Sequence, residues 1–144
     1  MSESFRAELT RLLDDLIQGE REERRRDAER EERFKRAVQR FRDLAAGTIR
    51  PVLEEVAEPL RARGLQPFVG DNTRFGMSCW LDVEADSEPA RGLAFRLDAD
   101  RGAVEAVLHR TAGNTKIDEK ALAEVDREWV QQTLLTFVRK LYAG

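Results

Sequence analysis

Residues 74–84, RFGMSCWLDVE, decide the fold class, because apolar and polar side chains alternate along them with a period of two. One face of this predicted strand carries the apolar side chains, which are Phe75, Met77, Cys79, Leu81 and Val83. A second alternating stretch, 93–98, is joined by the turn Ala99–Gly102 to a third, 104–108, which predicts a hairpin. A short strand at 66–69 could precede these three. The sequence therefore predicts an antiparallel sheet of three or four strands with one buried face.

Helical periodicity returns on both sides of these strands. A helix is predicted from about 49 to 62, with Pro51 in its first turn and Gly64 as its stop, after a break or bend at 47–51. A last helix, capped by Asp118 or Asp126, has an apolar face that includes Trp129, Val130, Leu134, Phe137 and Leu141. The polar stretches 86–92 and 111–116 are predicted to be loops. The two helices are expected to cover one face of the sheet.

The N-terminal segment carries an apolar stripe of about four helical turns. Phe5, Leu9, Leu12 and Leu16 recur at spacings of 4, 3 and 4, and Leu13 and Ile17 lie beside them. Ser2 or Ser4 could cap the start of this helix. Because an isolated helix of this length is marginal in water, we expect the stripe to be buried against another surface.

A run of charged residues, EREERRRDAEREERFKR at 20–36, follows the stripe, and fifteen of its seventeen side chains are charged. Five pairs place an acid four residues before a base, the favourable order on a helix: Glu20–Arg24, Glu22–Arg26, Glu29–Arg33, Glu31–Lys35 and Glu32–Arg36. The register that continues from Leu16 puts charged residues where a coiled coil needs apolar ones. We therefore predict an exposed helical spacer, with a tight dimeric seam as the alternative.

A second apolar stripe begins at the end of the charged run and comprises Phe34, Val38, Phe41 and Ala45. The chain is predicted to divide into a helical arm, 1–46, and a compact domain, 47–144. The predicted fold class is α+β, with a long, charged, coiled-coil-like N-terminal helix and a small sheet packed on one face by two helices. A helix from 20 to 46 would extend about 40 Å.

The residue types that carry common chemistry are sparse. The nine glycines are scattered rather than clustered into a phosphate-binding loop, and one histidine with one cysteine cannot form a transition-metal site. Cys79 and His109 are the one cysteine–histidine pair that could act as nucleophile and base, but strand alternation places them on opposite faces of the sheet. The expectation is a protein without catalytic residues, metal or cofactor, in which Cys79 belongs to the core and His109 to the surface.

Composition narrows the range of partners. The formal net charge is −3, and residues 65–144 carry ten basic and thirteen acidic groups, which argues against nucleic acid. We predict no transmembrane segment and no association with anionic membranes. A single cysteine and an N-terminus without a signal-peptide pattern favour a cytoplasmic protein. Arginine outnumbers lysine twenty-one to four, which indicates a GC-rich bacterial genome.

The face of the sheet that the helices leave open carries the remaining candidates. Alternation puts Ser78, Trp80, Ala94, Arg96, Val107 and His109 on this face. Tryptophan beside arginine is a composition enriched at the centres of interfaces. The face could be covered by the N-terminal stripe or a second subunit, could bind a different protein, or could be exposed.

The favoured hypothesis is a non-enzymatic structural or adaptor protein that self-associates, as a dimer first of all, or binds a partner protein through its arm. The alternative is a chaperone-like domain that binds a peptide or ligand on the open face or edge of the sheet. An enzyme with an unrecognised carboxylate site is the third hypothesis. The predicted interface comprises Phe5, Leu9, Leu12, Leu16, Phe34, Val38, Phe41, Trp80 and Arg96.

Overall fold

A computed structural model describes residues 2–73, 77–85 and 88–142, and it divides into two compact units, 1–36 and 37–144. The first helix, α1 (Glu3–Leu44), runs through both units. Its residues 3–36 belong to the first unit, and its last eight residues, 37–44, belong to the second. The boundary between the two compact units, after residue 36, therefore lies ten residues before the end of the predicted arm at residue 46. Whether residues 47–144 fold without the arm stays a prediction.

The first unit is helical from Glu3 onward. The Ser2 hydroxyl accepts a hydrogen bond from the Phe5 amide at 3.1 Å, which makes Ser2 the N-cap. Two of the five predicted pairs form ion pairs, Glu20–Arg24 at 2.6 Å and Glu31–Lys35 at 3.4 Å. These exposed pairs stabilise the helix by about 0.3–0.5 kcal/mol each.

The predicted break at 47–51 is replaced by a π-helical turn, Ala45–Ile49, that leads directly into α2 (Arg50–Ala62). The Arg50 amide donates to the Ala45 carbonyl, five residues back. Pro51 explains the wide turn, because its ring would clash with the carbonyl of Gly47 and it has no N–H to donate. One widened turn accommodates proline without ending the helix.

Gly64 ends α2, as predicted. Its φ of 83° lies in the left-handed region that glycine adopts freely. The Gly64 amide donates to the Arg61 carbonyl and the Leu65 amide to the Leu60 carbonyl, each at 3.1 Å. These two bonds form a Schellman motif and turn the chain into the sheet.

The sheet has five antiparallel strands in sequential order, rather than the three or four predicted. The strands are β1 (Gln66–Asn72), β2 (Ser78–Ala85), β3 (Glu88–Asp98), β4 (Ala103–Arg110) and β5 (Gly113–Ala121). The predicted strand start at Phe75 lies outside the described residues. Each strand pairs with the next through a short connection, so the sheet is a meander.

Two predicted loops are in fact strand. Residues 88–92 belong to β3, where residues 89 and 90 together oppose Glu84, and this bulge accommodates Pro89. Residues 113–116 begin β5, an edge strand whose side chains are mostly exposed. Because β5 buries neither face fully, its sequence shows no apolar alternation, and this is why periodicity missed it.

The last helix, α3 (Arg127–Tyr142), is capped by Asp126, whose carboxylate accepts the Trp129 amide at 2.8 Å. Within the second unit, α2 and α3 pack on one face of the sheet, as predicted. The core contains Phe41, Ile49, Leu53, Phe95 and Phe137, all fully buried. Phe95 and Trp129 meet edge to face at 5.6 Å between ring centroids. The fold is α+β, as the sequence predicts.

Candidate binding surfaces

The register of the five strands arranges the open face of the sheet in rows. Phe68, Asp82, Gly92, His109 and Asn114 lie opposite one another across the strands in one row. The next row contains Gly70, Trp80, Ala94, Val107 and Lys116. Directly opposed residues in an antiparallel sheet point to the same face. The structure therefore brings Trp80, Arg96 and His109 to one face, as predicted.

A concave space of about 700 Å³ lies over this face, and we call it the open-face groove. Its floor is made of small residues, Gly92 and Ala94, and both are buried. The walls and rim comprise Ser78, Trp80, Asp82, Arg91, Arg96, His109, Arg110 and Thr111. The groove exists because small residues in the central strand lie between larger ones on its neighbours.

Trp80 is half-buried because its indole ring lies across Gly70 in the neighbouring strand. A Cβ atom at Gly70 would lie 2.8 Å from three atoms of the indole ring. Glycine at this position therefore lets the ring lie flat on the backbone of β1. The exposed edge strand is covered there by an aromatic ring, which is a known device for protecting glycine in sheets.

Asp82 leans in the opposite direction, over Gly92. A Cβ atom at Gly92 would overlap Oδ1 of Asp82, so glycine is required for this position of the carboxylate. Partial burial raises the pKa of Asp82 above its ordinary value, and Glu84 raises it further. His109 acts in the opposite direction by favouring the carboxylate.

Two polar groups on the same face as Asp82, His109 and Arg96, are paired with other residues. Nδ1 of His109 lies 2.8 Å from Oδ1 of Asn114, which orients the imidazole ring. Nη2 of Arg96 donates to Oε2 of Glu105 at 3.1 Å. Among the described residues, Asp82 makes no hydrogen bond or ion pair. The groove is thus lined by one aspartate, Asp82, and by three arginines, Arg91, Arg96 and Arg110.

Cys79 points to the other face of the sheet and is fully buried in the core, as predicted. Burial raises the pKa of its thiol to about 12, and Asp71 contributes to the increase. The thiol is therefore neutral at physiological pH and cannot act as a nucleophile. Because His109 lies on the opposite face, the two side chains form no catalytic pair.

The apolar stripe of α1 is the second candidate surface. Its six large side chains, Phe5, Leu9, Leu12, Leu13, Leu16 and Ile17, are between 38% and 61% exposed. Phe34 is also exposed, at 52%. These side chains form a contiguous apolar surface on the first unit.

Two residues of the predicted interface have a different role. Val38 and Phe41 are 8% and 0% exposed, and both are buried within the second unit. Their side chains stabilise the fold and are not available to a partner. The apolar stripe that begins at Phe34 therefore has two parts. Phe34 is exposed, whereas Val38, Phe41 and Ala45 are buried.

An apolar groove of about 660 Å³ lies between α2 and α3. Its apolar lining comprises Val52, Val56, Pro59, Leu60, Leu134, Leu135 and Val138. Leu135 is the large apolar side chain of α3 that remains exposed there. The sequence did not predict this groove. The apolar faces of both helices were expected to be covered by the sheet, and periodicity alone does not show which part of a wide apolar face stays uncovered.

Sequence reasoning also missed Phe68, Asp82 and Gly92 as parts of the open face. Strand alternation alone places Asp82 beside Trp80, so that residue could have been found. Phe68 and Gly92 required the register between strands, which no local pattern gives. Asp82 is the most informative of the three, because it is the carboxylate that the groove leaves unpaired.

Among residues 2–73, 77–85 and 88–142, no group of three histidine, cysteine or acidic side chains is placed to hold a metal ion. None of the described helices combines the length and the apolar character that crossing a membrane requires. No protein-family model matches the chain, and neither the curated proteins nor the solved structures contain a significant match to it.

Proposed function

We propose that the protein is a non-enzymatic structural or adaptor protein that self-associates through its helical arm. The observation that carries this proposal is the exposure of the six side chains of the α1 stripe, from Phe5 to Ile17. Contiguous apolar surface on a helix is a common feature of sites that bind other helices. The charged run at 20–36 then serves as a spacer.

A second copy of the chain is the partner that the charges favour. Residues 20–36 contain eight basic and seven acidic side chains. Such a balanced segment can pair with itself without net repulsion, whereas a strongly charged partner would meet as many unfavourable contacts as favourable ones. Self-association of the stripe is therefore the simplest arrangement that covers it.

The expected affinity is modest. Burying the remaining half of a large apolar side chain contributes about 1 kcal/mol. The twelve side chains of two copies would then contribute about 12 kcal/mol, against an association cost of about 4 kcal/mol or more. The dimer should therefore have a Kd of about 1 µM or weaker.

The test compares variants of the stripe with a matched control by light scattering coupled to size-exclusion chromatography. The double variant Leu12→Ser/Leu16→Ser should be monomeric at concentrations where the parent protein is dimeric. Leu135→Ser removes a comparably exposed leucine from α3 and should leave the dimer intact. A stripe variant that dimerises as well as the parent would show that the arm is not the interface.

A second candidate function is the binding of a peptide or ligand on the open face of the sheet. The observation in its favour is the open-face groove of about 700 Å³, with the unpaired carboxylate of Asp82. The two functions differ in where mutations act, because stripe variants should leave binding in the groove unchanged.

A further inference from the structure

We propose that the arms of two copies pair antiparallel and that their contact is limited to the α1 stripe, between Phe5 and Ile17. This inference rests on the proposed function, self-association through the arm, and adds the orientation and the extent of the interface. In such a pair the two charged runs lie outside the contact and extend from it in opposite directions.

The first argument comes from the continuity of α1. It is one α-helix from Glu3 to Leu44, so residues 18 positions apart, or five turns of 3.6 residues, lie on one line along it. Four such pairs join the stripe to the charged run: Phe5–Glu23, Leu9–Asp27, Leu12–Arg30 and Leu16–Phe34. The face that carries the stripe therefore continues as Glu23, Asp27 and Arg30, and all three are exposed.

The second argument is electrostatic and concerns a parallel pair. When two stripes lie parallel and in register, each residue near the two-fold axis meets its own copy. Glu23 would then face Glu23 of the second copy, and Asp27 and Arg30 would also meet like charges. The balance of charge over the whole run does not relieve these contacts, because identical residues are paired. A parallel pair therefore has three repulsive layers directly after the stripe.

An antiparallel pair avoids these layers. When the two stripes are centred on each other, about residue 11, residue 5 of one copy lies beside residue 17 of the other. The helix begins at Glu3, capped by the Ser2 hydroxyl. Residues from 20 onward therefore lie past the start of the opposite helix, and the charges of Glu23, Asp27 and Arg30 stay in water.

The third argument is the difference between the two sides of the stripe. Leu13 and Ile17 lie on one side of it, and Glu8 and Asp15 lie on the other. A two-fold axis perpendicular to the helices brings each side onto the same side of the second copy, whereas an axis along the helices brings it onto the opposite side. An antiparallel pair thus packs leucine and isoleucine together, and a parallel pair sets them against acids.

The antiparallel arrangement also brings Glu8 of one copy near Asp15 of the other. Both side chains are exposed and lie at the edge of the contact, where water weakens the repulsion between like charges. The layers of a parallel pair lie at the centre of the contact, where water is partly excluded and the same charges repel more strongly. The comparison of the two orientations therefore favours the antiparallel pair.

The test measures distances between spin labels on the full chain by double electron–electron resonance, in a Cys79→Ala background. The label is placed at Arg25→Cys or at Glu32→Cys, which are exposed positions on the side of α1 away from the stripe. In an antiparallel pair we expect about 45 Å at residue 25 and about 65 Å at residue 32, because each residue adds about 1.5 Å in each copy. A parallel pair gives the same distance at both positions.

A second measurement locates the end of the contact. Glu23→Gln/Asp27→Asn removes two like-charged layers that a parallel pair contains and an antiparallel pair does not. We expect its dissociation constant to stay within about threefold of the parent value, whereas relief of repulsion in a parallel pair would tighten it about tenfold or more. Phe34→Ser, on the same face, should also leave the constant unchanged. Leu12→Ser/Leu16→Ser is the positive control that removes the dimer.

The outcomes separate this inference from the proposed function. Equal label distances at residues 25 and 32 in a chain that sedimentation shows to be dimeric would overturn the antiparallel orientation and leave self-association in place. Tenfold tighter association of Glu23→Gln/Asp27→Asn would do the same, since the contact would then include the charged run. A dimer that survives Leu12→Ser/Leu16→Ser, or a chain that stays monomeric, would contradict the proposed function and this inference together.

Discussion

At the scale of single residues, strand β2 buries one side chain and places the next one on the open face of the sheet. Cys79 and Trp80 are neighbours in β2, yet the thiol is fully buried in the core while the indole ring lines the open-face groove. This difference follows from the alternation of side chains along a strand. Phe41 and Phe34 show the same contrast on α1, where one ring is buried and the other is exposed.

Cys79 should be unreactive in the folded protein. Its pKa of about 12 leaves almost no thiolate at pH 8, and the side chain is inaccessible. We expect a disulfide reagent to modify only a small fraction of the Cys79 thiols within an hour under native conditions. In denaturant the reagent should modify all of them at once. Rapid modification of the native protein would show that β2 does not pack as described.

Glu119 should titrate well below an ordinary glutamate. Its carboxylate accepts two hydrogen bonds from Arg101, at 2.6 and 2.9 Å, and one from Lys116 at 3.1 Å, which lower its pKa to about 2. The resulting stabilisation is complete above about pH 4.5, and it is lost as the pH falls through 2.

Carbon-13 NMR of the glutamate carboxyls measures this directly. Arg101→Ala should raise the pKa of Glu119 most of the way to its ordinary value, because the Arg101 hydrogen bonds are the largest cause of the shift. Lys116→Ala should raise it less. An unchanged pKa in Arg101→Ala would contradict the ion pair.

At the scale of secondary structure, the predictable elements are those with a strong period. β2, the hairpin of β3 and β4, and the apolar face of α3 follow from patterns of two or 3.6 residues. β5 could not be predicted in this way, because an edge strand with polar residues on both faces has no period to detect. The structure has a bulge at residues 89 and 90 where the polar stretch predicts a loop, and a π turn before Pro51 where the sequence predicts a break or bend. In both places the element adapts to a proline instead of ending.

The candidate site was predictable in part. Alternation identified the open face and placed Trp80, Arg96 and His109 on it. The pairing of Asp82 with Gly92 and Phe68 depends on register between strands, which is a property of the whole sheet. The assignment of Phe41 to an interface failed because periodicity shows that a face is apolar without showing what covers it.

Phe41 and Phe34 provide a matched test of this distinction. Phe41→Ala should lower the free energy of unfolding by about 3–5 kcal/mol, because it leaves a cavity in the core. Phe34→Ala should change it by less than about 0.5 kcal/mol at a concentration where the protein is monomeric. Urea denaturation followed by tryptophan fluorescence measures both. Equal losses in the two variants would mean that α1 is not divided between an exposed and a packed segment.

At the scale of the whole molecule, the chain combines a charged helical unit, residues 1–36, with a compact α+β unit, residues 37–144. The compact unit has a complete core of its own on one side of the sheet. The helical unit has six large apolar side chains that are between 38% and 61% exposed. Since each unit presents its own surface, we expect association through the arm and binding in the groove to be separable functions.

The most direct test of the central claim is the mass of the full-length protein by sedimentation equilibrium, from about 0.1 to 100 µM at physiological salt. We expect a reversible transition from the monomer of 16.5 kDa to a dimer, with its midpoint within this range of concentration. A constant mass of 16.5 kDa over the whole range would contradict self-association through the arm.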